Sequence, residues 1–282
     1  MMKGLRDGDG YIKVLKYREL PLKSPLIFQK IAKIYQMVVQ VYPNYESLSE
    51  ATARCIAEVV HQKPNAVLCL ASGNSPEGVF KQMVGMAQRG EADFSQCIFI
   101  GLDEWLGIAP DNTGSCWYMV NESLFKPLQI PANQIYFFDG LTTTPQAECE
   151  RIDQKVAELG GLDVILVGVG LNGHIAMNEP GRSWDLYSHV SELHESTITV
   201  GQKYFKESTP LQYGLTVGLR YVQEAKLLIL IANGTKKAAI LRTALHGEVT
   251  TQVPASLFQQ LVHGLVMLDQ EAASELDTPA VS

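Results

Sequence analysis

Seven short apolar runs punctuate the chain: MVVQV (37–41), AVLCLA (66–71), CIFIGL (97–102), QIYFF (134–138), DVILVGV (163–169), KLLILIA (226–232) and GLVMLD (264–269). They are continuous more than alternating, which is the pattern of strands buried on both faces of a mainly parallel sheet. Segments of helical period lie between several of them. SLSEATARCIAEVV (47–60) offers Ser47 or Ser49 as N-cap and sets Leu48, Ala51, Cys55 and Val59 on one face. PQAECERIDQKVAEL (145–159) opens on proline, suited to a first helical turn, and runs into Gly160-Gly161 as a stop. TKKAAILRTAL (235–245) is another such helix. Strand and helix alternate from about residue 37 to the end, which predicts one α/β domain over 36–282, a single doubly wound, mainly parallel sheet flanked by helices.

Residues 1–35 do not join this alternation. They hold eight Lys/Arg against three Asp/Glu, with two prolines, and read as an added basic arm too short for a helix-turn-helix domain with its own core. The whole chain of 282 residues carries a net charge of −7, so the remainder stands near −12. That balance argues against nucleic acid as a partner, because phosphate binding is driven by clustered Lys and Arg. No stretch approaches the roughly 20 apolar residues of a membrane span, and the first residues lack the apolar core of a secretory signal. Five cysteines (Cys55, Cys69, Cys97, Cys116 and Cys149) are scattered without CxxC spacing or a His-rich neighbourhood. They predict neither disulfides nor a zinc site, and a reduced, cytoplasmic protein.

Ligands of open parallel sheets gather beyond the carboxyl ends of the strands, and three runs here end in unusual polar sequence. AVLCLA passes into Ser72-Gly73-Asn74-Ser75 and a proline-started helix, a turn whose backbone N–H groups could cradle a phosphate. Taken alone it reads more readily as a plain β-to-α turn with Ser75 as N-cap, because short Gly/Ser turns are frequent. CIFIGL ends in Asp103-Glu104, adjacent carboxylates able to raise one another's pKa into a general-base range, or else an N-cap at a strand–helix junction. DVILV leads into GVGLNGHIAMNEPG (168–181), with Asn172, His174, Asn178 and Glu179 within eight positions. A carboxylate five residues past a histidine can orient the imidazole and stabilise its charged form during proton transfer. The bland alternative is a turn whose polar side chains cap the next helix.

Taken together, these segments resemble the glucosamine-6-phosphate deaminase/isomerase family and its galactosamine-6-phosphate relatives, from about residue 37 to about 270. GxGxNGHIAxNEP at 168–180 carries most of the likeness, supported by SGNSP (72–76), LDEW (102–105), TVG (216–218) and PAS (254–256). The resemblance implies a Rossmann-like fold and a reaction in which a 2-amino-2-deoxyhexose 6-phosphate is opened, isomerised to the ketose and stripped of ammonia. It implies Asp103 as the base that takes the C2 proton, His174 as the ring-opening residue and Glu179 as its supporting carboxylate. It places the phosphate on Ser72, Gly73, Asn74 and Ser75, with Lys237 and, where the family commonly has arginine, Lys203. Neither step calls for a metal or an organic cofactor.

The chain departs from the family pattern in places. Asn172 stands where one branch has Asp; it can hold the imidazole by a hydrogen bond but supplies no charge, leaving more of that role to Glu179. Asn74 replaces a second glycine of the phosphate turn and would need a backbone tolerant of left-handed geometry. Lys203 keeps a charge without arginine's bidentate fork. His189-Val190-Ser191 stands where allosteric members have a basic pair, which argues against activation by an N-acetyl sugar phosphate. Trp105, the GGLD before the fifth run and the PAS segment look closer to the galactosamine branch.

The sugar phosphate is thus the expected partner, with no membrane, and with room left for a homo-oligomer. Two other functions compete. A 6-phosphogluconolactonase shares the fold and a GH turn but usually lacks the NEP that brings Glu179. A non-catalytic sugar-phosphate sensor would have no need of Asp103, His174 and Glu179 together.

Overall fold

The computed structural model describes residues 37–261 and 264–276, together with the backbone of 6–7 and 10–13. Among the described residues the strands begin with β1 (Arg6–Asp7), β2 (Gly10–Lys13), β3 (Val38–Tyr42), β4 (Val67–Leu70), β5 (Ile98–Gly101) and β6 (Asp103–Trp105). They continue with β7 (Ile135–Tyr136), β8 (Val164–Val167), β9 (His189–Glu192), β10 (Tyr213–Thr216), β11 (Leu227–Ala232) and β12 (Gly264–Asp269). The main helices are α1 (Tyr45–Gln62), α2 (Asn74–Gln88), α3 (Cys116–Val120), α4 (Pro145–Glu158), α5 (Glu195–Gly201), α6 (Leu219–Glu224) and α7 (Ala238–His246).

One sheet runs in the order β1-β2-β3-β12-β11-β8-β4-β5-β7. Its strands from β3 to β7 are parallel, and β2 pairs antiparallel with β3 at one edge, Tyr11 against Val41. All seven apolar runs supply its parallel strands. The rest of the 1–35 arm lies outside the described residues.

Side chains alternate along each parallel strand, so both faces bury apolar surface. Along β8, Val164 and Leu166 join one core with Leu48, Ile56, Phe80 and Met83 of α1 and α2. Ile165 and Val167 join the other with Cys149, Ile152, Val222 and Leu241 of α4, α6 and α7. The continuous apolar runs are therefore two interleaved alternations. All five cysteines are free, four of them buried. No helix among the described residues is long and apolar enough to cross a membrane.

Two local expectations are corrected. The N-cap of α1 is Asn44, whose Oδ1 accepts from Ser47 N at 2.9 Å, rather than Ser47 or Ser49. Its buried face is Leu48, Thr52, Ile56 and Val60, rotated from the expected stripe. Thr52 fits there because its hydroxyl donates to Leu48 O at 2.8 Å, so a polar residue occupies a core position. Beside the main sheet stands a small antiparallel one, β6-β10-β9, seated on a third cluster of Trp105, Cys116, Met177 and Leu211.

The topology fixes where chemistry can gather. From β4 the chain proceeds outward through β5 to β7, whereas from β8 it proceeds the other way to β11 and β12. β4 and β8 are neighbours, so their carboxyl-terminal loops diverge and leave a crevice at the switch point.

The opposite end is pinned by Asp163. Its carboxylate accepts from Val67 N at 2.7 Å, Lys63 Nζ at 2.7 Å and Lys226 Nζ at 2.8 Å, tying the starts of β4, β8 and β11. Burial opposes the charge, but these donors outweigh it and hold the carboxyl below its usual range. The lysines reach solvent, so the main cost of removal is the orphaned Val67 N–H. Asp163→Ala should cost about 2 kcal/mol in urea unfolding, with the loss present at pH 7 and fading as acid protonates the wild-type carboxyl.

Candidate active site

The loop after β8 is folded tightly on itself. Gly170 N donates to His174 O at 2.9 Å, and Gly173 N donates to Gly170 O at 3.1 Å. These bonds lay the His174 imidazole against Gly170, where a Cβ would stand only 2.4 Å from ring atoms Cε1 and Nε2. The backbone then passes through Ala176 at φ 52°, a left-handed geometry that costs a non-glycine residue roughly 1 kcal/mol. Asn178 absorbs this cost by anchoring the loop: its buried Nδ2 donates to Ile175 O at 3.0 Å and to Val217 O at 2.9 Å. Asn178 is thus a structural member of the motif.

Glu179 is buried under the same loop, with its Oε2 3.5 Å from His174 Nδ1. Asn172 Nδ2 donates to that oxygen at 2.8 Å, and Asn172 Oδ1 accepts from the backbone N of His174 at 3.1 Å. Asn172 therefore steadies the carboxylate and the main chain, and does not touch the imidazole as the sequence suggested. The imidazole instead meets Thr197 Oγ1, 3.0 Å from Nδ1. Burial favours the neutral acid at Glu179, yet bonds from His174, Thr197 and Asn172 outweigh it and bring the carboxyl down to about 2.

Asp103 opens β6, directly past the end of β5. Neighbouring strand residues point to opposite faces, so Asp103 and Glu104 diverge. Glu104 is fully engaged: it accepts from Ser115 Oγ at 2.7 Å and from the backbone N of Trp105, Cys116 and Trp117 at 2.9–3.0 Å. It fixes the start of α3, so one member of the acidic pair does serve a helix N-terminus. Asp103 lacks such a set. Burial, then the neighbouring Glu104 charge, push it up to about 7, against a weaker pull from the Cys116 thiol. Trp105 is also structural, buried with its Nε1 donating to Gly114 O at 3.1 Å.

The SGNS turn follows β4. Gly73 takes φ 93° and lies under Tyr204, whose hydroxyl would be 2.7 Å from a Cβ. Asn74 already belongs to α2, so Gly73 alone takes left-handed geometry. Ser75 is not the N-cap; its Oγ donates to Asn233 Oδ1 at 3.2 Å, linking the turn to the end of β11. Beyond β11, Lys237 Nζ donates to Val169 O at 2.6 Å, reaching back to the β8 loop. Burial, with Lys203 nearby, lowers Lys237 to about 8, and burial also lowers Lys203. Lys203 sits over the Tyr204 ring, 4.7 Å from its centre. Neither lysine has a carboxylate partner among the described residues. Two cations, Lys237 half-buried and Lys203 exposed, beside a helix N-terminus make a place for an anion.

The loops after β4, β5, β8 and β11 thus meet in one crevice. Thr216 ties them: it pairs with Asp103 in register, its Oγ1 accepts from Met177 N at 3.2 Å, and the next residue, Val217, donates its N–H to Leu102 O at 2.8 Å. Among the described residues no group of three or more His, Cys, Asp or Glu is placed to hold a metal. A cavity of about 440 Å³ lined by Asp153, Tyr187, Tyr221 and Glu224 lies at the amino-terminal end of the sheet, away from these residues.

Known proteins share this fold. The family described as glucosamine-6-phosphate isomerases/6-phosphogluconolactonase matches residues 44–267. This chain belongs to that family. It is 34% identical over 239 residues to a glucosamine-6-phosphate deaminase of Thermoanaerobacter pseudethanolicus, covering 84% of this chain and 94% of that one. A second such deaminase, of Lachnoclostridium phytofermentans, is 39% identical over 217 residues, covering 77% and 92%. Among solved structures, a monomeric glucosamine-6-phosphate deaminase superposes with a TM-score of 0.81 at 33% identity, covering 84% and 99%. A 6-phosphogluconolactonase from Trypanosoma brucei shares the fold at 21% identity, with a TM-score of 0.67 over 85% and 98%. The expected lean to the galactosamine branch gains nothing from these relatives. Of its marker residues, Trp105 and Asp163 pack and pin the scaffold.

Thr197, Gly170 and Tyr204 were not picked out from sequence. Gly170 left one trace, a second glycine close to a histidine where one turn glycine would suffice. Gly170→Ala should fold normally by circular dichroism while its crystal structure shows the His174 ring turned off residue 170 and away from Thr197. An unmoved ring would show that the close approach is not what requires glycine.

Proposed function

We propose that this chain is a deaminating aldose–ketose isomerase that converts glucosamine 6-phosphate to the ketohexose 6-phosphate and ammonia. The observation that carries this reading is a pair of buried carboxylates driven to opposite states at one crevice. Asp103 is raised to about 7, where a base can both take and return a proton, and Glu179 is held down to about 2 beside an imidazole. The relatives named above support the substrate.

In this reading Ser72, Gly73, Asn74 and Ser75, with Lys203 and Lys237, hold the phosphate. Gripping a dianion remote from the reacting carbons supplies orientation. His174 exchanges protons with the ring and anomeric oxygens, opening the pyranose to the free aldehyde, while Glu179 stabilises the imidazolium and Asn172 holds Glu179. Asp103 takes the proton from C2 and returns one to C1, through an enediol-like, amine-bearing intermediate. The resulting iminium at C2 adds water and loses ammonia, leaving the ketone. None of these steps draws on a metal or organic cofactor, and the reaction belongs to the cytoplasm.

Purified protein should release ammonia from glucosamine 6-phosphate faster than from galactosamine 6-phosphate, and should not hydrolyse 6-phosphogluconolactone. Absence of ammonia from both sugars would sink the reading. The pH profile of kcat/KM should be a narrow bell. Its acid limb lies near 7, where Asp103 ionises, and its alkaline limb near 8, where Lys237 loses its charge. Asp103→Asn should abolish turnover and leave sugar-phosphate binding nearly intact. Because the folded-state pKa of Asp103 is raised, ionising it costs stability that the unfolded chain does not lose. The variant should therefore melt above wild type, by a margin that grows from pH 5 to pH 8.

A further inference from the structure

Thr197 lies in the first turn of α5, is buried, and is 23 positions away from His174 in sequence. Its Oγ1 stands 3.0 Å from His174 Nδ1, and its hydroxyl lies close enough to the Glu179 carboxylate to help hold it ionised. The carboxylate lies farther from the ring, 3.5 Å from Nδ1. We propose that Thr197 is a positioning residue for His174, its hydroxyl relaying Glu179 to the imidazole and fixing the ring with its proton on Nδ1. This rests on the reading that His174 exchanges protons with the substrate.

The argument is a count of donors and acceptors. An ionised carboxylate only accepts. A threonine hydroxyl has one proton to give, and the acceptor in want of one is the ionised Glu179, whose buried Oε1 has no hydrogen-bond partner among the described residues. The threonine oxygen can then only accept, and the donor facing it is Nδ1–H. The reverse arrangement spends the hydroxyl proton on Nδ1, leaves the carboxylate with Asn172 alone, and sets a ring lone pair 3.5 Å from a carboxylate oxygen. With Nδ1 protonated, the neutral ring keeps its lone pair on Nε2, which has no protein partner among the described residues and lies along Gly170. That nitrogen is the one able to take a proton from a bound sugar. Asn172 cannot do this work, because its amide is spent on Glu179 Oε2 and on the backbone N of His174.

The test joins spectroscopy to kinetics on the full chain. In ¹⁵N-histidine-labelled protein above the imidazole titration, long-range ¹H–¹⁵N spectra, with the signal assigned by its loss in His174→Gln, should show a protonated Nδ1 and a bare Nε2. Thr197→Val should convert this pattern to a mixed or Nε2-protonated ring. It should lower kcat by roughly 10- to 100-fold, a part of what a positioned acid–base group contributes, with KM changed less than about twofold. Thr197→Ser, which keeps the hydroxyl, should restore both the spectrum and most of kcat. A wild-type ring protonated on Nε2 overturns the proposal, whether or not the valine variant folds. So does a valine variant with wild-type spectrum and kcat. If wild type releases no ammonia from either sugar phosphate, the functional reading fails, while the spectra still decide the relay.

Discussion

Glu179 keeps a negative charge in a place that water barely reaches, and the loop around it is arranged to make that tolerable. A buried carboxylate without partners would take up a proton or unfold its surroundings. Here Asn172, Thr197 and His174 converge on it from one loop and one helix, and together they outweigh the cost of burial. The constraint propagates outward. Donors must be held at hydrogen-bond distance, so the backbone between 170 and 179 cannot relax, and Ala176 accepts a left-handed φ of 52°. Asn178 locks the same loop to Val217, and Val217 in turn to the strand end that bears Asp103.

Asp103 and Glu179 then part in protonation by environment alone. Glu179 has donors and is lowered; Asp103 has burial, a like charge next door and one thiol, and is raised. Glu104 provides that like charge, held on the far face of β6 by four hydrogen bonds, although burial outweighs them and raises its own carboxyl as well. The raised carboxyl of Asp103 thus owes its shift first to burial and then to the residue that holds the start of α3. The adjacent acidic pair is one pKa-tuning residue and one tuned residue, not two interchangeable candidates.

The sheet was legible in sequence because a doubly covered parallel strand must be apolar at every position, and such runs stand out. Helix α4 was legible from its proline start and glycine stop. The small sheet was not, since DEW, HVSE and YGLT are three or four residues long with polar members on a half-buried surface. The face of α1 was misjudged because Thr52 hides its hydroxyl on its own backbone, which no hydropathy pattern reports. At the crevice, the residues carrying charge or an imidazole could be named from their motif. Their partners could not. Asn172 was read as an imidazole partner from its proximity in sequence, yet its amide geometry selects the carboxylate and the main chain. Thr197 sits in ESTIT, where nothing in spacing or composition separates it from any other threonine of a first helical turn.

Helix α5 links the two halves of the crevice. It carries Thr197 against His174 and Glu179 at its start, and it runs without a break into the turn Gln202–Tyr204, which carries Lys203 and Tyr204. Tyr204 lies over Gly73, and Lys203 lies close enough to Lys237 to lower its pKa. One continuous element therefore positions a group that touches the imidazole cluster and the groups beside the Ser72–Ser75 turn. An anion drawn between Lys203 and Lys237 would remove their mutual repulsion and favour the placement of α5 that also seats Thr197. Under the proposed function, binding energy gained at the phosphate would then be spent on aligning the imidazole, which is how a remote group on a substrate raises turnover as well as affinity.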